Sequence, residues 1–211
     1  MSLTLASRGN SKIEIKQSVF IGAAGRIRSP EEAASFVAEQ RSLYPDARHS
    51  CYAWVLSGSV NMSKYSDDGE PSGTAGMPLL NIIQSKGLTD CAVVVTRYFG
   101  GILLGKGGLV RAYTEAGVAA LADSDPVEVA LGTVFTVGIG YPDYDKFLFE
   151  CGKRGYEIGD SRFGDKVEVD ILIENTAEDA FRAFAVDITS GRAEISKGGT
   201  SEMIKGHPAI F

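Results

Sequence analysis

Two short stretches hold most of the residues that could do chemistry. The first is SDDGEPSGTAGMP, residues 66–78, where Asp67, Asp68 and Glu70 crowd three carboxylates into four positions. Like charges this close raise one another's energy unless something offsets them. A cation, an Arg partner or the positive end of a following helix would each serve. Gly69, Gly73 and Gly76 keep the loop free of bulk, and Thr74 stands where a helix would begin. The loop therefore has two readings: a holder of Mg²⁺, or a set of caps for the helix after Thr74. The second stretch is TRYFGGILLGKGGLVRAY, residues 96–113. Arg97 emerges near the end of an apolar run, and Gly100 and Gly101 turn the chain. Gly105, Lys106, Gly107 and Gly108 then lead into a helix that carries Arg111. Cations at a helix start oppose its macrodipole, so structure alone does not favour them. An anion held by free backbone N–H groups, with Arg97, Lys106 and Arg111 around it, would account for the pattern. The bland alternative is an exposed Lys106, an Arg111–Glu115 pair and an Arg97 spent on the acidic loop.

Two further constellations are weaker. Gly100 to Lys106 spells GxxxxGK between a strand and a helix, but a phosphate loop needs Ser or Thr next, and Gly107 stands there. His49 and Cys51 share one face of a strand, yet same-face neighbours lie about 6.6 Å apart, too far for a direct hydrogen bond. Cys51 reads as core, and His49 stays a candidate for binding. His207 has no evident partner.

The elements that must position these residues can be read from periodicity. Lys12–Phe20 reads as a strand. Ser29-Pro30-Glu31-Glu32 opens a helix with an N-cap, a first-turn proline and a capping glutamate; Pro45 stops it after Tyr44. Cys51–Leu56 is a strand, Gly58-Ser59 a turn and Val60–Ser66 its partner. Helices are expected from about Thr74 to Lys86 and from about Gly107 to Ala122. Between them Cys91–Phe99 is a continuous apolar strand, central in a sheet. After the turn formers Asp123-Ser124-Asp125-Pro126, the second half runs strand, helix, two strands, helix, strand: Thr133–Gly140, Pro142–Lys153, Tyr156–Phe163, Asp165–Glu174, Glu178–Ser190 and a last strand within Arg192–Ile204. That is the split β-α-β-β-α-β order. Domains of 1–125 and 126–211 are expected.

Composition bounds the function. The chain has 211 residues, 44% hydrophobic and 23% charged, which is ordinary globular usage and excludes a disordered chain, a collagen or a coiled coil. Residues 1–125 carry twelve basic and twelve acidic side chains; residues 126–211 carry nine and fifteen, and so hold the whole net charge of -6. A broad nucleic-acid footprint needs a basic face, so only a local basic site in the first half remains open. Cys51, Cys91 and Cys151 have no metal-ligand spacing. No leader segment and no apolar span of membrane length is seen, so the expectation is a cytoplasmic protein.

The strings HSCYAWVL, SDDGEPSGTAGMP and VVVTRYFGGILLGKGGLVRAY together resemble the YigZ/IMPACT family. The resemblance is strong over about residues 10–125 and weaker beyond. It implies an α+β fold: an N-terminal domain similar to a ribosomal-protein fold shared with GHMP kinases and a domain of elongation factor G, then a ferredoxin-like C-terminal domain like those of translation elongation factors. Eukaryotic members regulate translation initiation by competing for an activator of a stress-responsive initiation-factor kinase. The family signature covers His49, Asp67, Asp68, Gly69, Glu70, Pro71, Gly73, Thr74, Gly76, Arg97, Gly100, Gly101, Gly105, Lys106 and Gly108, and assigns them no reaction. Two functions follow as expectations. One is a binding or regulatory protein acting near translation, touching RNA, ribosome or a protein partner through Arg97, Gly100, Gly101, Gly105, Lys106, Gly107, Gly108 and Arg111. The other is a Mg²⁺-dependent phosphate- or nucleotide-binding enzyme using the acidic loop and Lys106. The residues lean toward the non-enzymatic reading, with no cofactor, no bound metal and no membrane, and they leave the oligomeric state open.

Overall fold

The computed structural model describes residues 2–58 and 61–206. His207 and the Ser59-Val60 part of the expected hairpin lie outside the described residues. The chain divides into two compact units, Ser2–Glu128 and Val129–Lys205.

The first unit contains β1 (Ser2–Leu5), β2 (Gly9–Ile15), β3 (Ser18–Arg26), α1 (Pro30–Leu43), β4 (His49–Leu56), β5 (Met62–Ser66), α2 (Gly76–Ser85), β6 (Cys91–Tyr98) and α3 (Gly105–Asp123). Five strands form an antiparallel sheet in the order β2-β3-β6-β4-β5. β6 lies at its centre, and Cys91 to Arg97 are all buried. Its run is continuously apolar because both faces are covered. Cys91, Val93 and Val95, with Phe20, Cys51 and Ala53, pack against Leu79 and Ile83 of α2 and Leu109, Tyr113, Ala116 and Ala120 of α3. Ala92 and Val94, with Ala23 and Trp54, pack against Ala33, Phe36 and Val37 of α1. The start of α1 follows the expectation: the Ser29 hydroxyl accepts from the Glu32 amide at 3.2 Å, and Pro30 sits in the first turn.

Several boundaries differ from the sequence reading; the first strand of the second half, for one, begins at Pro126 rather than Thr133. Lys12–Phe20 is not one strand. It is the hairpin of β2 and β3, in which Ile15 pairs with Ser18 across Lys16 and Gln17, both in the left-handed region (φ 48° and 65°). A two-residue hairpin turn of this hand normally takes Asn and Gly, so the turn gave no compositional signal. α2 begins at Gly76 rather than Thr74, and α3 begins at Gly105 rather than Gly107. β1 had no counterpart in the periodicity. It pairs with β7 (Pro126–Ile139), next to hydrogen bonds donated by the Ala6 amide to the Asp125 carbonyl and by the Ser7 amide to the Ser124 carbonyl, and fully buries Leu5.

The second unit continues along β7 into α4 (Tyr141–Lys153), β8 (Glu157–Phe163), β9 (Val167–Glu174), α5 (Glu178–Ile188) and β10 (Glu194–Gly206). Its strand order is β10-β7-β9-β8, fourth, first, third and second in the chain. This is the ferredoxin-like arrangement. Alternate residues Phe135, Val137 and Ile139 of β7 and Val167, Val169, Ile171 and Ile173 of β9 face Phe147 and Cys151 of α4 and Phe181 and Ala185 of α5. No helix among the described residues is long and apolar enough to cross a membrane.

The β2–β3 turn gives a direct test. Replacing Lys16 by Asn and Gln17 by Gly places at these left-handed positions the two residues that adopt that backbone most readily. Lys16 and Gln17 each carry a penalty of about 1 kcal/mol or more there, so the double variant should raise the midpoint of urea unfolding. An unchanged or lower midpoint would contradict the assigned turn.

Candidate functional site

The acidic loop is held together by its own charges. Asp67 lies at the start of α2 and accepts three backbone N–H groups: Gly73 at 2.8 Å, Ala75 at 3.0 Å and Gly76 at 2.9 Å. Burial alone pushes its carboxyl up, but these amides outweigh that and hold it below the usual aspartate range. Asp67 thus caps α2 from outside, a role the sequence reading gave to the loop but not to one residue. Thr74 does not cap the helix; its buried hydroxyl donates to the Pro71 carbonyl at 2.6 Å. Asp68 accepts from Arg41 at 2.7 Å and from the Ser50 amide at 2.7 Å. Its carbonyl lies 2.8 Å from His49 Nδ1, which therefore carries the hydrogen. Glu70 is 8% exposed and accepts from Arg97 at 2.7 Å and from the Tyr113 hydroxyl at 2.9 Å. Each of the three acids has a positive partner or a helix end within the chain. Among the described residues no group of three His, Cys, Asp or Glu side chains is disposed to hold a metal ion.

Register explains why Arg97 meets this loop. On β6 it lies directly between Phe20 of β3 and His49 of β4, on the face covered by α2 and α3. Its guanidinium lies 5.4 Å from the ring centres of both Phe20 and Phe99 and reaches Ser18 Oγ at 3.3 Å. It is 6% exposed, and its Nε is buried without a hydrogen-bond partner. Of the two readings offered for Arg97, the structure has the pairing with the acidic loop: most of its charge is spent on Glu70. Arg111 is exposed on α3, beyond the cleft described next, with its guanidinium folded back toward Gly107. It makes no ion pair with Glu115 among the described residues.

A cleft of about 420 Å³ opens above this pair. Arg97, Glu70 and His49 contribute to its lining, with Pro71, Phe99, Leu103, Leu104 and Leu109 as apolar walls and Arg48 and Lys106 as the exposed cations. Gly105, with φ of 69°, bends the chain into α3 at its edge. Gly100, Gly101, Gly107 and Gly108 do not line it. Gly100 instead allows a close backbone approach. A Cβ there would lie 2.1 Å from the Gln17 carbonyl carbon, so only glycine lets the loop pass the hairpin turn. The sequence reading missed Arg48 and the apolar walls. Phe99, Ile102 and Leu103 are 51%, 43% and 82% exposed, and that apolar cluster between glycines was the available signal. No acid and no side-chain cap occupies the first turn of α3.

Cys51 is a fully buried thiol of the core. Its Sγ donates to the Asp67 carbonyl at 2.9 Å, and burial, reinforced by the nearby carboxylates, pushes its thiol up to about 12.

Residues 16–121 match the Impact N-terminal domain, and residues 137–192 match a domain of unknown function, DUF1949. The chain is 33% identical over 195 residues to the IMPACT family member YvyE of Bacillus subtilis, spanning 92% of this chain and 90% of that protein. It is 48% identical over 102 residues to the IMPACT family member YigZ of Escherichia coli, about half of each chain. A solved structure described as a hypothetical protein superposes with a TM-score of 0.61 at 32% identity, covering 92% of this chain and 95% of the other.

Two measurements check the geometry. Arg97→Met should cost about 3–5 kcal/mol, because it leaves Glu70 buried and unpaired. Adding Glu70→Leu should recover part of that loss, and strictly additive costs in the double variant would show that the pair is not coupled. Thiol titration of the folded protein with an aromatic disulfide reagent at pH 8 should find Cys51, Cys91 and Cys151 unreactive until denaturant is added, since all three are buried.

Proposed function

This chain belongs to the IMPACT family, and from that premise we propose that it is a cytoplasmic binding or regulatory protein acting near translation, with the cleft at the start of α3 as its docking site. The translational setting comes from what the family resemblance implies. The docking site comes from one observation: exposed Phe99 and Leu103 line the same cleft as Arg48 and Lys106, at an uncapped helix start. Scattered apolar side chains are normal on a surface, but a contiguous set edged by cations marks a place for a partner. The free N–H groups of the first turn of α3 add positive potential at the same edge.

The partner is an RNA, a ribosomal surface or a protein that brings negative charge to this edge. The acidic loop acts beneath the cleft as scaffold. It orients Glu70 and Pro71 through the Asp67 cap, and Glu70 in turn fixes Arg97. No step of bond making or breaking is assigned to these residues.

Affinity for labelled single-stranded RNA and for purified ribosomes should fall by about tenfold when Arg48 and Lys106 are both changed to alanine, and should weaken with salt. Arg111→Ala, outside the cleft, should change it little. Equal affinity of the wild type and the Arg48→Ala/Lys106→Ala variant for both would remove the cleft as the docking site.

A further inference from the structure

We infer that the cleft is a receptor for the C-terminal end of a polypeptide, taking a free α-carboxylate at the start of α3 and a large aliphatic last side chain against Phe99, Leu103, Leu104 and Leu109. The inference rests on the reading of this cleft as the docking site and names its occupant.

The charges select a ligand with one anionic group. Arg97 lies in the floor, but its charge is matched by Glu70 at 2.7 Å. That leaves Arg48 and Lys106, neither in an ion pair among the described residues, as the uncompensated cations of the lining. A single-stranded nucleic acid binds through a groove of cations that tracks a run of phosphates, with several aromatic platforms for its bases. Here two exposed cations and one exposed aromatic ring, Phe99, are present. A protein terminus matches this count: one carboxylate, then one side chain.

The backbone fits the same ligand. α3 runs for 19 residues and opens as Gly105-Lys106-Gly107-Gly108, so its first N–H groups are screened by one side chain, that of Lys106. Two neighbouring amides can meet the two oxygens of a carboxylate. A second group points the same way. Arg97, 6% exposed and part of the lining, keeps a buried Nε–H without an acceptor. Such a donor is costly to leave unmade, and it would gain an acceptor if the guanidinium shifted toward a carboxylate seated in the floor. The apolar walls supply what a bare anion site would lack. Leu103, 82% exposed, stands at the mouth and would be covered by the last side chain of the peptide.

The test uses the full chain and three fluorescein-labelled probes: the hexapeptide GSGSVL with a free carboxylate, the same peptide as its C-terminal amide, and a single-stranded RNA dodecamer. Anisotropy should show saturable binding of the acid and at least about tenfold weaker binding of the amide. Leu103→Ser and Lys106→Ala, both at exposed positions, should each weaken the acid and leave the unfolding midpoint unchanged. Equal binding of acid and amide would overturn the inference. RNA binding that Lys106→Ala reduces, with no binding of either peptide, would also overturn it while keeping the cleft as the docking site. No binding of any probe would overturn the carboxylate assignment, and indifference of ribosome binding to Arg48→Ala/Lys106→Ala would then remove the docking site too.

Discussion

The ion pair of Glu70 and Arg97 is the contact on which the first unit depends. Both groups are buried, and neither belongs to an element that could bury it alone. Arg97 lies near the end of the central strand, Glu70 comes from an irregular loop, and Tyr113 of α3 donates to the same Glu70 oxygen. One carboxylate thus joins the sheet, the loop and the helix at a single point. A buried pair of this kind adds little net stability over an apolar substitute, because desolvation cancels most of the attraction. What it imposes is geometry: Glu70 can be satisfied only when β6, α3 and the loop are all in place. Placement of the cleft walls follows from that condition, since Pro71 follows Glu70 directly and Phe99 lies two residues beyond Arg97.

The rest of the acidic loop shows how three crowded carboxylates coexist without an ion. Each is directed to a different positive source: Asp67 to the start of α2, Asp68 to Arg41 and the Ser50 amide, Glu70 to Arg97. The glycines permit this divergence. Gly69, at positive φ, lets the chain reverse between Asp68 and Glu70, and Gly73, also at positive φ, turns it again ahead of α2. The density of charge that looks like a metal site in a linear reading becomes, in three dimensions, a set of three separate bonds.

Much of the architecture was legible because the residues obey simple periods. The capped start of α1, the central apolar β6 and the alternating β9 all announce themselves, and the order of elements after Pro126 is enough to give the ferredoxin-like sheet. The β2–β3 hairpin was hidden because Lys16 and Gln17 carry none of the usual turn chemistry. A shift of parity was present all the same: Ile13 and Ile15 face the core from odd positions and Phe20 from an even one. At the site, residue types suggested that the two glycine-rich segments meet. They could not choose between an Arg97 spent on the acidic loop and one left open to an anion, because that depends on which face of β6 it occupies against α3. The same limit hid Arg48, whose place in the cleft comes from the strand that follows it rather than from any motif of its own.

The loop from Phe99 to Leu104 is short and fixed at both ends. At one end Gly100 lies against Gln17 and donates its N–H to Ser18 Oγ at 3.2 Å; at the other the chain enters α3. Such a loop would meet a binding partner already ordered. Little conformational entropy is then lost on association, so contacts made by a few side chains are not diluted by the cost of freezing them. The arrangement suits recognition of short, weakly contacting targets that must be held briefly and released, because selectivity comes from a rigid shape while a small contact area keeps dissociation fast.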